Sequence, residues 1–231
     1  MFIYFLSEEN ILNEKHQKIC MKELICFDLD NTLLKSERAH VIAYNHALEK
    51  YGFKKREFED MVKLFGKPHK EVIKILIKKD DQKIIARVYN EKKKFLIKHA
   101  SRYVKPIPGV NSVLKTLKKT YDLAVLSNSS HDTVLALMKA ARLDRRYFKI
   151  IVGHDDVHNS KPRPDEIIKA EHLAHHKAKC MIGDSIYDVM AGKSAGVMTI
   201  AVLTGRYTKE ELKKCKPDYI ISHLRELLSI V

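Results

Sequence analysis

The sequence has 231 residues, 45% hydrophobic and 31% charged, a balance that fits a globular chain with length for one large domain or two small ones. No stretch reaches the roughly 20 apolar residues that cross a bilayer, and the opening Met1–Leu6 run is too short for a signal-peptide core, so a cytoplasmic protein with no membrane partner is expected. Lys and Arg number 43 against 29 Asp and Glu, a net charge of +14 that attracts anions of every kind, from phosphorylated metabolites to nucleic acid.

The basic residues are scattered through Lys54–Glu57, Ile77–Asp80, Glu91–Phe95, Leu117–Thr120 and Leu212–Lys216 and are not interleaved with aromatics. They read as solvated helix faces, so nucleic acid is not the expected partner. Cys20, Cys26, Cys180 and Cys215 form no C-x-x-C pair, which argues against a zinc or redox motif. Cys26 and Cys180 sit in apolar runs as small hydrophobes.

Residues 1–20 lack a clear pattern and are read as an appendage of uncertain role. Glu23–Phe27 is a short apolar run ended by polar turn residues, a buried strand. Arg38–Lys50 has helical spacing and stops before Gly52. From there to about Tyr103 the pattern is helical throughout, until Pro106 and Pro108-Gly109 punctuate it. After Gly109, helices alternate with apolar strands. The predicted strands are Leu123–Leu126, Lys149–Val152, Ala178–Ile182, Met198–Leu203 and Tyr219–Ile221, with a last helix following. This alternation predicts an α/β fold, a Rossmann-like parallel sheet with helices on both faces. The helical stretch is then an inserted cap over 38–104, and the core comprises 21–37 and 105–231.

Ligands of open parallel sheets bind at the carboxyl ends of the strands, and four such ends carry polar residues. The first is Asp28-Leu29-Asp30-Asn31-Thr32. Two carboxylates so close together repel unless a cation neutralises them or one stays protonated, and magnesium is bound by one or two carboxylates plus phosphate. Read alone, the segment is equally an acidic turn. The second end is Ser127-Asn128, where a hydroxyl beside a helix start can hold a phosphate oxygen. The third is followed by Lys161 between turn formers, a cation able to neutralise phosphate or surrounding acids. The fourth is Gly183-Asp184 with Asp188 four residues on. Asp188 also suits a helix N-terminus. Together the four ends put carboxylates, a hydroxyl and a lysine on one sheet edge, a pattern for metal-assisted phosphoryl chemistry.

Phe27–Leu33, Ser127-Asn128, Lys161-Pro162 with Pro164-Asp165, and Gly183-Asp184 with Asp188 resemble the four motifs of the haloacid dehalogenase (HAD) superfamily, in the same order. A helical insertion directly after the first motif is similar to the family's C1 cap. Residues 203–219 resemble the phosphoglycolate phosphatase branch, whose near relatives include beta-phosphoglucomutase-like enzymes. The resemblance implies that Asp28 attacks phosphorus and that Asp30 is the general acid and base. It implies that Mg2+ is held by the Asp28 carboxylate, the Asp30 backbone carbonyl and the Asp184 carboxylate, with Asp188 positioning that group. Ser127, Asn128 and Lys161 then hold the phosphoryl group, and His40, Lys67 and His69 are candidates for substrate contacts from the cap. The implied substrate is a small phosphomonoester, phosphoglycolate first among several.

Asn31 stands where glycine is commonest in the family, and Lys35 replaces an acid frequent in this branch. Asp30 sets the chain apart from the family's dehalogenases and phosphonatases, which lack an acid at that position. A sugar phosphomutase is the nearest alternative, since His40 falls where mutases carry a histidine. A nucleic-acid-associated protein is a more distant one. His172, His175 and His176 lie at a predicted helix end, where they suit the dipole better than a metal site.

Overall fold

Strand β1 (Leu24–Phe27) is buried on both faces, as an apolar run this short demands. The computed structural model describes residues 22–231, so the expected appendage over 1–20 lies outside the described residues. After β1 come β2 (Leu34–Lys35) and four helices, α1 (Glu37–Lys50), α2 (Phe58–Val62), α3 (His69–Ile77) and α4 (Gln82–Phe95). A π-helical turn at Leu96–Ala100 extends α4 and leads to β3 (Lys105–Pro106). The chain then alternates through α5 (Val110–Leu117), β4 (Asp122–Ser127), α6 (His131–Ala140), β5 (Ile150–Gly153), α7 (Asp165–Ala174), β6 (Ala178–Gly183), α8 (Ile186–Ala195), β7 (Met198–Val202), α9 (Lys209–Lys214) and β8 (Tyr219–Ile221).

Six strands form one sheet in the order β5-β4-β1-β6-β7-β8, and every neighbouring pair is parallel. Side chains alternate across it. Ile25, Phe27, Leu123 and Val125 pack with Val113 and Leu117 of α5 and Val134 and Leu137 of α6. Leu24, Cys26, Ala124 and Leu126 point the other way, onto Ile167 and Ala170 of α7. The sheet is thus covered by helices on both faces, the expected Rossmann-like α/β arrangement.

Helices α1–α4 build their own apolar cluster around Tyr44, Leu48, Met61, Ile73, Leu76 and Val88. Asp81 caps α4 by accepting from the Lys83 and Ile84 amides. The two chain crossings between this helical unit and the sheet are pinned side by side. β2 and β3 pair antiparallel there, Leu34 with Pro106 and Lys35 with Lys105. Two-residue strands have no period to detect, so the sequence pattern does not reveal them. No helix among the described residues is long and apolar enough to cross a membrane.

Two expectations need correction. The segment after β8, predicted as a helix, is a run of 3-10 turns at Leu224–Ser229. The Glu91–Phe95 run is not wholly a solvated face, because Lys92 is 1% exposed. Lys92 follows Ile85 and Val88 at helical spacing, on the stripe that α4 buries.

Candidate active site

The parallel strands end at one edge, and the loops that leave them carry the site. The Asp28 amide donates to the Ile182 carbonyl at 2.8 Å, fixing the end of β1 against β6. The chain then turns through Asn31 at φ 59°, a left-handed conformation that asparagine tolerates better than most side chains. Its amide donates to the Leu34 carbonyl at 2.6 Å.

Lys161, in the loop between β5 and α7, is 2% exposed. Its Nζ donates to Asp28 Oδ1 at 2.6 Å, Asp188 Oδ1 at 2.7 Å and the Leu126 carbonyl at 3.0 Å. Burial works against its charge, but Asp188 and Asp28 outweigh that and hold its pKa well above the ordinary lysine value. Carboxylate oxygens of Asp28, Asp184 and Asp188 lie within 4.8 Å of one another. Burial, with mutual repulsion, pushes Asp28 and Asp184 well above the usual carboxylate range. One lysine cannot neutralise three buried acids, so these residues fit a hard divalent cation. Asp188 is braced by Ser185, whose amide and hydroxyl donate to Oδ2 at 3.1 and 2.6 Å. Gly205 lets the loop after β7 lie against Asp184, since a Cβ there would overlap that carboxylate.

Asp30 points to the helical unit. Ser36 and His40 donate to its Oδ1 at 2.5 and 3.1 Å. Burial opposes its ionisation, yet His40 and Ser36 hold its pKa down at about 2. Burial and the charge of Lys92 push the His40 imidazole below its ordinary range, so it serves Asp30 as a hydrogen-bond donor. Tyr44 Oη lies 2.7 Å from His69 Nδ1, and His69 Nε2 is 3.5 Å from Ser129 Oγ. Asn128 Nδ2 donates to the Gly66 carbonyl at 3.0 Å and to the Lys161 carbonyl at 3.2 Å.

These groups enclose a cavity of about 70 Å³ between the sheet edge and the helical unit. Asp28, Asp30, Asn128, Lys161, Asp184 and Asp188 line it from the sheet, and His40, Lys67 and His69 from the helices. Ser127 does not line it. Its hydroxyl accepts from the Ser129 amide at 3.1 Å, and Ser129 is the residue that reaches the cavity. Ser36, Tyr44, Tyr187 and Arg206 also line it, and sequence reasoning missed them. Tyr44 had a readable signal, one turn after His40 on the same helix face. Arg206 had none, because its role depends on contact with Glu37 at 2.8 Å. His175 closes α7 in a left-handed turn at φ 63°. Among the described residues, Asp28, Asp184 and Asp188 are the one group arranged to hold a metal ion.

Residues 25–202 match the family described as haloacid dehalogenase-like hydrolase. The chain is 30% identical over 212 residues to Pyrophosphatase PpaX of Halalkalibacterium halodurans, covering 90% of this chain and 95% of the relative. A solved structure described as a predicted phosphoglycolate phosphatase from Haemophilus somnus superposes with a TM-score of 0.80 at 22% identity, over 92% of this chain and 99% of that one. A hydrolase from Pseudomonas syringae gives 0.78 at 23% identity, over 90% and 97%. At such identities the two structures speak for the fold alone. The family match spans most of the chain and includes the loops that carry Asp28, Lys161 and Asp184: this chain belongs to the haloacid dehalogenase-like hydrolases.

Proposed function

We propose that this hydrolase is a magnesium-dependent cytoplasmic phosphatase that passes the phosphoryl group of a small metabolite to Asp28 and then to water. The observation that carries this reading is the buried cluster of Asp28, Asp184 and Asp188 around Lys161. Asp28 Oδ1 is held by Lys161, while Oδ2 has no hydrogen-bond partner among the described residues and is the oxygen assigned to attack. It forms a bond to phosphorus as the bond to the leaving oxygen breaks, with Lys161 offsetting the charge that builds on the phosphoryl group. Mg2+ would be held by the Asp28 and Asp184 carboxylates and the Asp30 carbonyl, with Asp188 positioning that group, and would supply charge neutralisation at the phosphoryl oxygens.

Asp30 is ionised in this state and is aimed at the cavity by Ser36 and His40. It takes the proton of the water that cleaves the aspartyl phosphate, releases phosphate and restores Asp28. In the first step Asp30 gives the leaving oxygen a proton, which it takes up only when the substrate anion fills the cavity and raises its pKa. Asn128 and Ser129 complete the phosphate contacts. His69 and Tyr44 close the far side and keep bulk water out.

A cavity of about 70 Å³ holds on the order of five waters, which favours a small substrate. The relatives' names point to pyrophosphate and phosphoglycolate as the first compounds to try. Phosphate release is measured over pyrophosphate, 2-phosphoglycolate, sugar phosphates and nucleotides, with Mg2+ and with chelator. Release is expected only with Mg2+, and Asp28→Asn is expected to lower it at least about 10³-fold with the fold retained. Substantial Mg2+-dependent turnover in the variant would overturn the aspartyl-phosphate route.

A further inference from the structure

Lys92 touches none of the reacting groups in the chemistry above, although its charge helps to hold Asp30 ionised. It lies on α4, 1% exposed, and burial lowers its pKa to about 7, with Asp30 as the acid that pulls it back up. No carboxylate lies within ion-pair distance of its Nζ among the described residues, and Asp30 is already engaged by Ser36 and His40. A buried ammonium with no counter-charge is costly to a fold. The Tyr44 ring, 4.8 Å from Nζ, offsets part of that cost.

Tyr44 lines the cavity, as do His40 and His69. Burial and the charge of Lys92 hold both imidazoles below their ordinary range, so the positive charge behind this wall is that of Lys92. Two other cations lining the cavity are already matched. Lys67 faces Glu71 at 2.7 Å, and Arg206 faces Glu37 at 2.8 Å. The cavity therefore has an acidic cluster with its own lysine at the sheet end. At the helical end an unmatched ammonium stands behind a thin aromatic wall.

We propose that Lys92 is a specificity-determining residue that supplies the counter-charge for an anionic leaving group, so that small phosphate compounds releasing a second phosphoryl group or a carboxylate are preferred over those releasing a neutral alcohol. Lys92 acts through Tyr44 and His69 and does not touch the ligand. A low-polarity setting lets its charge reach across that layer. The inference rests on the phosphatase reading for its substrate end, but it is tested by binding as well as by turnover.

Affinities are measured by calorimetry, with Mg2+, for imidodiphosphate, 3-phosphonopropionate and propylphosphonate on the wild type and on Lys92→Met. Wild type is expected to bind at least one charged analogue at least about 10-fold more tightly than propylphosphonate. Lys92→Met is expected to remove most of that preference while changing propylphosphonate affinity less than about 3-fold. The charged analogue that loses affinity identifies the source as phosphoryl or carboxylate. In parallel, kcat/KM of Lys92→Met for the substrate that matches that analogue, pyrophosphate or 2-phosphoglycolate, is expected to fall at least about 10-fold relative to glycerol 2-phosphate. Lys92→Gln carries the same comparison if methionine packs poorly. No wild-type preference for a charged analogue, or equal losses for charged and neutral analogues, overturns the proposal. Preference without turnover of any ester would leave it standing and overturn the phosphatase reading instead.

Discussion

Asn128, at the end of β4, donates a hydrogen bond to the backbone carbonyl of Gly66 in the helical unit, at 3.0 Å. The same amide group reaches the Lys161 carbonyl, so one side chain ties the loops after β4 and β5 to the helical unit. Gly66 has φ +92°, and a Cβ there would stand 3.0 Å from the Tyr187 ring. Gly66→Ala is therefore expected to strain the turn and lift the loop from Asn128. kcat/KM is expected to fall about 10-fold, with a change in thermal midpoint of only a few degrees. Unchanged kinetics would mean that this contact does not set the closed geometry.

Lys161→Met leaves Asp28 and Asp188 without their shared cation. Removing one partner of a buried ion pair costs about 3–5 kcal/mol. Urea unfolding without metal should record that loss, and added Mg2+ should recover part of it. Turnover is expected to drop by about 10³-fold, from loss of charge stabilisation at the phosphoryl group.

Metal binding should register as stability. At a concentration 100 times its dissociation constant, Mg2+ is expected to stabilise the wild type by about 2.7 kcal/mol. Asp184→Asn should remove most of this shift. The metal-free variant should also be more stable than the metal-free wild type, since repulsion at Asp28 is relieved. The pH dependence has a definite sign. Asp28 and Asp184 have raised pKa values in the fold, so the unfolded chain gives up these protons first. Metal-free wild type should lose stability as pH rises above the ordinary carboxylate range, and Asp184→Asn should lose less.

Lys92 gives the opposite slope. Its pKa in the fold is about 7, below the ordinary lysine value near 10.4. Between those values the unfolded chain holds the extra proton, so its contribution to stability rises with pH. Lys92→Met should be more stable than wild type at pH 6, by roughly 2–4 °C in thermal midpoint per kcal/mol gained. The difference should shrink toward pH 10. The groups around it are Asp30, Tyr44, His40, His69 and His154. Burial holds the three imidazoles below their ordinary range, so the slope above about pH 8, where imidazoles are uncharged in the fold and in the unfolded chain, belongs to Lys92.

The sheet is legible in the sequence because each strand is a short apolar run between helical patterns, and buried parallel strands are made of such runs. Asp28 and Asp184 are legible for a related reason, since each directly follows a strand and parallel strands end together; Lys161 stands further on, in the loop after β5, and is marked by the turn formers around it. Lys92 is not legible from composition. A run of three lysines looks solvated until the spacing from Ile85 and Val88 is followed through it. Ser127 misleads in another way. Ser127 is the last residue of β4 and its hydroxyl accepts from the Ser129 amide, so the cavity hydroxyl comes from the turn two residues on, at Ser129. The Arg206–Glu37 pair joins segments far apart in sequence, and nothing local announces it.

β1 lies in the middle of the sheet, yet it is the first strand in the chain. Leu24 pairs with Asp122 on one side and Ala178 on the other. During synthesis the segment that ends in Asp28 has no permanent neighbour until β4 emerges, and its second edge stays open until β6 follows. Such distant pairings delay folding, because a long stretch of chain must be gathered before any contact repays it. The cluster at Asp28 therefore assembles late, when Lys161 and Asp184 are already present. Partly made chains should be without hydrolase activity and should expose the edges of their most apolar strand.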